Sequence, residues 1–280
     1  MRQGSLGLIL ALAVGLFVIP ACAEQVAQFD PHDLSGYWTG PPPSERPPEN
    51  SHPPYTEAGQ QRMIERAPDY IEASNWPDEF GEAPGCRTVS CRNDPMFSCN
   101  PMGFPRITWE ENEVFEIVQL PDRIMHFYQW DRVLRELWMD GRELPSGETL
   151  LDIGPNWYGH SVAEWEGDTL VVNSTGFEPR AWPDQYGHPL SADARIEERF
   201  RLIDADTMEG RMTIDDPANY TGPWEPQIRI FTRVQPEDVT FFGWKGLFSG
   251  LTDGVCAPMN EVDEFNSRVR DRGIFGDTGN

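Results

Sequence analysis

A carboxylate and a guanidinium that strand alternation turns toward an apolar interior are the residues best placed to do chemistry in this chain. In the run from Arg195 to Leu202 the even positions are Ile196, Glu198, Phe200 and Leu202, while every odd position is charged. Side chains on a strand alternate faces, so Glu198 belongs to the apolar face. In the run from Val133 to Met139, Arg135 likewise keeps company with Val133, Leu137 and Met139. An isolated carboxylate in such an interior has its pKa raised by up to about 3–5 units, whereas a neighbouring guanidinium holds it ionised. Glu198 and Arg135 are therefore expected partners. The pair serves either as a ligand or acid–base site, or as a buried ion pair that closes the fold.

The histidines add proton-transfer groups. His160 in Tyr158-Gly159-His160 and His188 in Tyr186-Gly187-His188-Pro189 sit in glycine-containing turns or strand edges, where function concentrates. His126 shares a face with Ile124, Tyr128 and Trp130 and reads first as a packed core histidine. With Glu198 as acid or base, Arg135 as electrostatic partner or oxyanion stabiliser, and His160 or His188 as second proton carrier, the set suits elimination, isomerisation or hydration without an organic cofactor. Tyr158, Glu164, Asn173, His126, Tyr128, Asp140 and Arg142 are candidate substrate contacts. Asp140-Gly141-Arg142 is also a plain turn signal. The rival reading is a non-catalytic small-ligand-binding or envelope-interaction protein in which the same groups only orient a ligand or stabilise the fold. Ten tryptophans and fifteen phenylalanines supply surface for an apolar or aromatic small molecule. No G-x-S-x-G, H-E-x-x-H, P-loop or post-strand G-x-G-x-x-G motif is present. His160 and Ser161 point to opposite faces of a strand and form no nucleophile–base pair.

These residues must be carried by strands. Gly167-Asp168 lies between β-prone runs and predicts a tight hairpin in which Trp165 faces Leu170, Ala163 faces Val172 and Ser161 faces Ser174. His160, Val162 and Glu164 then share the other face with Val171 and Asn173, as a ligand cavity or as a solvated outer face. Further strands are expected over 114–120, 123–130, 133–139, 194–203, 208–215 and 227–234, with short turns between them. The expected fold is all-β, an antiparallel meander of about eight strands closing into a lipocalin-like barrel over residues 111–280. Gly36-Tyr37-Trp38 resembles the G-x-W start of lipocalin first strands. Residues 24–110 read as a proline-rich arm packed on the barrel. The arm's one short helix is expected from Glu57 to Glu65, capped by Thr56 and ended by Ala67-Pro68.

Composition narrows the partners. Arg2, an apolar run from Leu6 to Pro20 and Ala21-Cys22-Ala23 predict a secretory signal over residues 1–23, with cleavage after Ala23 favoured over lipid attachment at Cys22. The expected location is periplasmic or extracellular. The formal net charge of −24 becomes −25 once Arg2 is removed, which disfavours nucleic-acid partners and anionic membranes. No later segment is long and apolar enough to span a bilayer. Cys86, Cys91, Cys99 and Cys256 form an even set in an exported chain, and the expected pairings are Cys86 with Cys91 and Cys99 with Cys256. A structural zinc site is the weaker alternative, because no histidine pair accompanies Cys86 and Cys91, so no metal ligands are assigned.

Cys99-Asn100-Pro101-Met102-Gly103-Phe104-Pro105-Arg106, Gly159-His160-Ser161-Val162, the string from Trp165 to Val172, Glu198-Arg199-Phe200 and Asp216-Pro217 together resemble a group of exported, largely uncharacterised bacterial proteins. The resemblance runs from about Asp33 to Cys256 and implies export and a β-rich fold, with no substrate. That group usually carries Gly-Arg before the tryptophan. Here Ala163-Glu164 stands in its place, so no role of that arginine carries over.

Overall fold

Alternation gives most strands one buried face, and nine strands close on themselves to bury it. The computed structural model describes residues 29–40, 52–69, 76, 80, 82, 85, 93–110, 114–238, 240–241 and 244–245. The barrel runs β1 (Gly36–Thr39), β2 (Phe115–Gln119), β3 (Arg123–Tyr128), β4 (Leu134–Trp138), β5 (His160–Glu166), β6 (Thr169–Thr175), β7 (Arg195–Asp204), β8 (Thr207–Asp215) and β9 (Arg229–Val234). Closure is made by β1, which pairs with β2 through Trp38 and Phe115 and with β9 through Trp38 and Arg233. The G-x-W segment is thus a wall strand contributed by the arm. Trp38 is fully buried, its indole N–H donates to Leu34 O, and the Arg233 guanidinium lies over its ring.

The β5–β6 hairpin has the expected register throughout, including Trp165 with Leu170, Ala163 with Val172 and Ser161 with Ser174. Gly167 takes φ +60° at its turn, a conformation that favours glycine. Along β7, Ile196, Glu198, Phe200 and Leu202 are buried, as alternation requires.

Two features depart from a simple antiparallel meander. Neighbouring strands are antiparallel except β4 and β5, which run parallel over only two residue pairs, Leu137 with Ser161 and Trp138 with Val162. A parallel pair needs a crossover, and the crossover contains a short helix, α3 (Gly147–Ile153). Its apolar residues Leu151 and Ile153 are exposed, so it shows no buried stripe of the kind that marks a helix in sequence.

The arm is more than a surface strap. Helix α1 (Glu57–Arg66) forms as expected, with Thr56 Oγ1 accepting from Gly59 N. Its Arg62 donates to Asn219 Oδ1 and its Arg66 to Pro179 O, so it docks on the β8–β9 and β6–β7 connections. The next arm segment enters the barrel core. Met102, Phe104, Ile107 and Trp109 pack with inward wall residues, and helix α2 (Arg106–Trp109) is buried at all four positions. Trp109 meets Phe200 and Phe231. Cys86, Cys91 and Cys256 lie outside the described residues, as does the segment 1–28.

Candidate functional site

Inside the wall, β4 and β7 bring Arg135 and Glu198 together. The guanidinium binds both carboxylate oxygens, Nη1 to Oε1 at 3.2 Å and Nη2 to Oε2 at 2.5 Å, and both side chains are almost fully buried. This is the bidentate geometry that distinguishes arginine from lysine. Nη2 also reaches Ser174 Oγ at 2.9 Å and Ser161 Oγ at 3.2 Å, while the Phe104 ring lies 4.0 Å from the guanidinium carbon. Burial alone would lower the Arg135 pKa, but the charges and hydrogen bonds of Glu198 and Tyr128 together outweigh it and hold the group above its ordinary value.

His126 is the direct cross-strand neighbour of Arg135. It is a core histidine, 1% exposed, with Nδ1 3.3 Å from Tyr128 Oη. Burial, with the Arg135 charge added, pushes its pKa down to about 3, so the ring is neutral. Burial also lifts the Tyr128 phenol to about 12, and that hydroxyl shares a 2.5 Å hydrogen bond with Thr108 of the inserted arm. His126 Nε2 and Arg135 Nε are buried without a protein hydrogen-bond partner.

Beside this buried network, at the short parallel seam, lies a cleft. Its volume is about 360 Å³, and it is lined by the outward residues Leu134, Glu136, Trp138, His160 and Val162 together with the inward residues Arg135 and Ser161. Residues of both parities line one space where the β4–β5 pairing is confined to two positions. Tyr158, Arg142, Glu143 and Asn156 also line it. Arg142 stacks on Trp138 at 3.7 Å and binds Asp140 through two nitrogens, which keeps the Asp140 carboxyl below the usual carboxylate range. His160 Nε2 donates to Gly154 O at 2.9 Å, which leaves Nδ1 as the ring nitrogen not committed to that bond.

Not every expected contact belongs here. Glu164 is exposed, and Asn173 faces outward between Val162 and Glu197, so the alternate face of the hairpin is the outer surface of the wall. His188 has separate neighbours. It is buried on the β6–β7 connection, where its Nδ1 bonds Asp184 and its ring meets Tyr55, Tyr186 and Trp224. Burial would raise Asp184, but the His188 contact overrides it and keeps that carboxyl low. Ser161 and Ser174 were visible as two hydroxyls facing each other in an otherwise apolar hairpin. Phe104 and Thr108 carry no such signal, since nothing in the arm's sequence says that it enters the barrel.

Among the described residues no helix is long and apolar enough to cross a membrane, and no group of three or more His, Cys, Asp or Glu side chains is placed to hold a metal ion. Neither protein-family models nor curated proteins match this chain, so its functional reading rests on the site.

Proposed function

We propose that this chain is an exported β-barrel protein that binds a mostly apolar or aromatic small molecule in the cleft at the β4–β5 seam. The observation that carries the reading is the cleft beside Arg135 and Ser161, with Trp138, Tyr158, Leu134 and Val162 around it. These last four supply the apolar contact that such a molecule needs, and the charged and polar lining, Arg135, Glu136, Arg142, Glu143 and His160 among it, orients it. A ligand's aromatic body lies along Trp138 and Tyr158, and its polar end faces the arginines. Export, the pairing of Cys99 with Cys256 and of Cys86 with Cys91, and kinship with the exported bacterial group belong to the same proposal. The test is a screen of purified protein against apolar and aromatic metabolites, with retained ligand read by mass spectrometry. Val162→Trp, which fills the cleft, should abolish retention while the circular dichroism spectrum stays that of the parent. Retention unchanged in the filled variant would overturn the site.

A second reading adds turnover by cofactor-independent acid–base chemistry, as elimination, isomerisation or hydration. His160 favours it, because its Nδ1, not committed to the Gly154 bond, belongs to a residue of the cleft lining. Glu198, with both oxygens on Arg135, then acts through that charge, and His160 moves the proton. His160→Gln should lower turnover by about 10²–10⁴-fold with binding retained. Ligand recovered chemically unchanged from the parent protein would leave binding alone.

A further inference from the structure

A second cluster of titratable side chains lies away from the cleft. His52, of the arm, and His188, of the β6–β7 connection, are 136 positions apart in sequence, yet His52 Nδ1 stands 3.5 Å from His188 Nε2. The other nitrogen of His188 is committed: Nδ1–H donates to the buried Asp184 carboxylate. That carboxylate is itself fixed by the backbone N–H groups of Tyr186 at 2.9 Å and His188 at 3.2 Å. With Nδ1 on Asp184, Nε2 is the His188 nitrogen that faces His52. Three further rings, Tyr55, Tyr186 and Trp224, wall the pair, and half-exposed His52 gives it an edge toward solvent.

The separation is longer than the 2.7–3.2 Å usual for a nitrogen donor. It is close to the edge of a tetrahedral site, about 3.3 Å for metal–nitrogen bonds of 2.0–2.1 Å. A carboxylate holding the far nitrogen of a ligating histidine, and being hydrogen-bonded in turn, is the outer support that such sites use. We propose that His52 and His188 bind one divalent transition-metal ion of the imidazole-preferring class, such as zinc, with Asp184 as the positioning residue. Among the described residues two side chains supply nitrogen ligands, fewer than the four of a closed structural site, which makes the proposed site an open, exchangeable one.

The test uses the full chain without an affinity tag, titrated with Zn²⁺ by calorimetry in excess Mg²⁺, and with Co²⁺ as a spectroscopic probe. The parent should take up one Zn²⁺ equivalent and give the visible absorption of tetrahedral Co²⁺. His52→Ala, made at the half-exposed partner so that the buried one stays in place, should lose both signals with its melting temperature retained. Asp184→Asn should weaken binding by about 10–100-fold. Failure of the parent to bind stoichiometric Zn²⁺, or unchanged affinity in His52→Ala, overturns the site.

Discussion

The two buried acid–base pairs are built differently. Arg135–Glu198 joins strands β4 and β7 across the inside of the barrel, is tied to two serines, and lies beside a cleft in the wall. Asp184–His188 sits four residues apart on one connection, roofed by aromatic rings and by the arm. The first pair is placed by strand geometry, with one partner on each of two wall strands. The second depends on a titratable ring and on the arm being seated. Loss of one strand-borne charge should therefore damage the whole barrel, whereas loss of an arm contact should loosen a local cluster.

The sharpest way to break this contrast is Glu198→Gln. Stranding Arg135 without its anion should cost about 3–5 kcal/mol, read as a large fall in denaturant midpoint. Replacing both partners by methionine should recover most of that loss, because the desolvation cost of the two charges disappears with them. Next in size are the arm's seats. A methyl at Gly59 would run into the Asn219 carbonyl, and one at Gly103 into the Trp182 carbonyl. Either substitution to alanine should cost about 1–3 kcal/mol, and Gly59→Ala should also raise proteolytic cleavage of the arm.

A graded effect comes from pH. His126 titrates near 6.5 when unfolded and at about 3 when folded, so the unfolded state takes up the proton first as pH falls. Its contribution is fully present above 6.5 and declines by about 1.4 kcal/mol per pH unit down to about 3. Chemical denaturation across pH 4–7 should show that slope, and His126→Leu should flatten it. Smallest in stability is Arg142→Ala on the cleft rim. Melting should be unchanged, while affinity for a ligand with an anionic end should fall.

The inward pair, its two serine neighbours and nearly every wall strand were legible because alternation and hairpin register are local properties of sequence. Three things were not. The parallel seam depends on the crossover through 147–153, whose exposed Leu151 and Ile153 carry no amphipathic period. The arm's entry into the core is a long-range event fixed by packing of Phe104 and Trp109, and β1 joins the wall from the same arm. The approach of His52 to His188 follows from that arm placement and has no spacing to announce it. Glu164 was assigned with the right parity, but parity alone does not say whether the alternate face meets ligand or water.

The central claim is that ligand binds at the seam rather than at the loop cluster. Trp138 lines the cleft, and Trp224 stands against His188. Titration of ¹⁵N-labelled protein with a ligand retained in the metabolite screen, followed through the indole N–H signals, separates the two places. The Trp138 signal should shift saturably with the Trp224 signal unmoved, and Val162→Trp should remove the shift. A saturable shift at Trp224 with none at Trp138 would contradict the account.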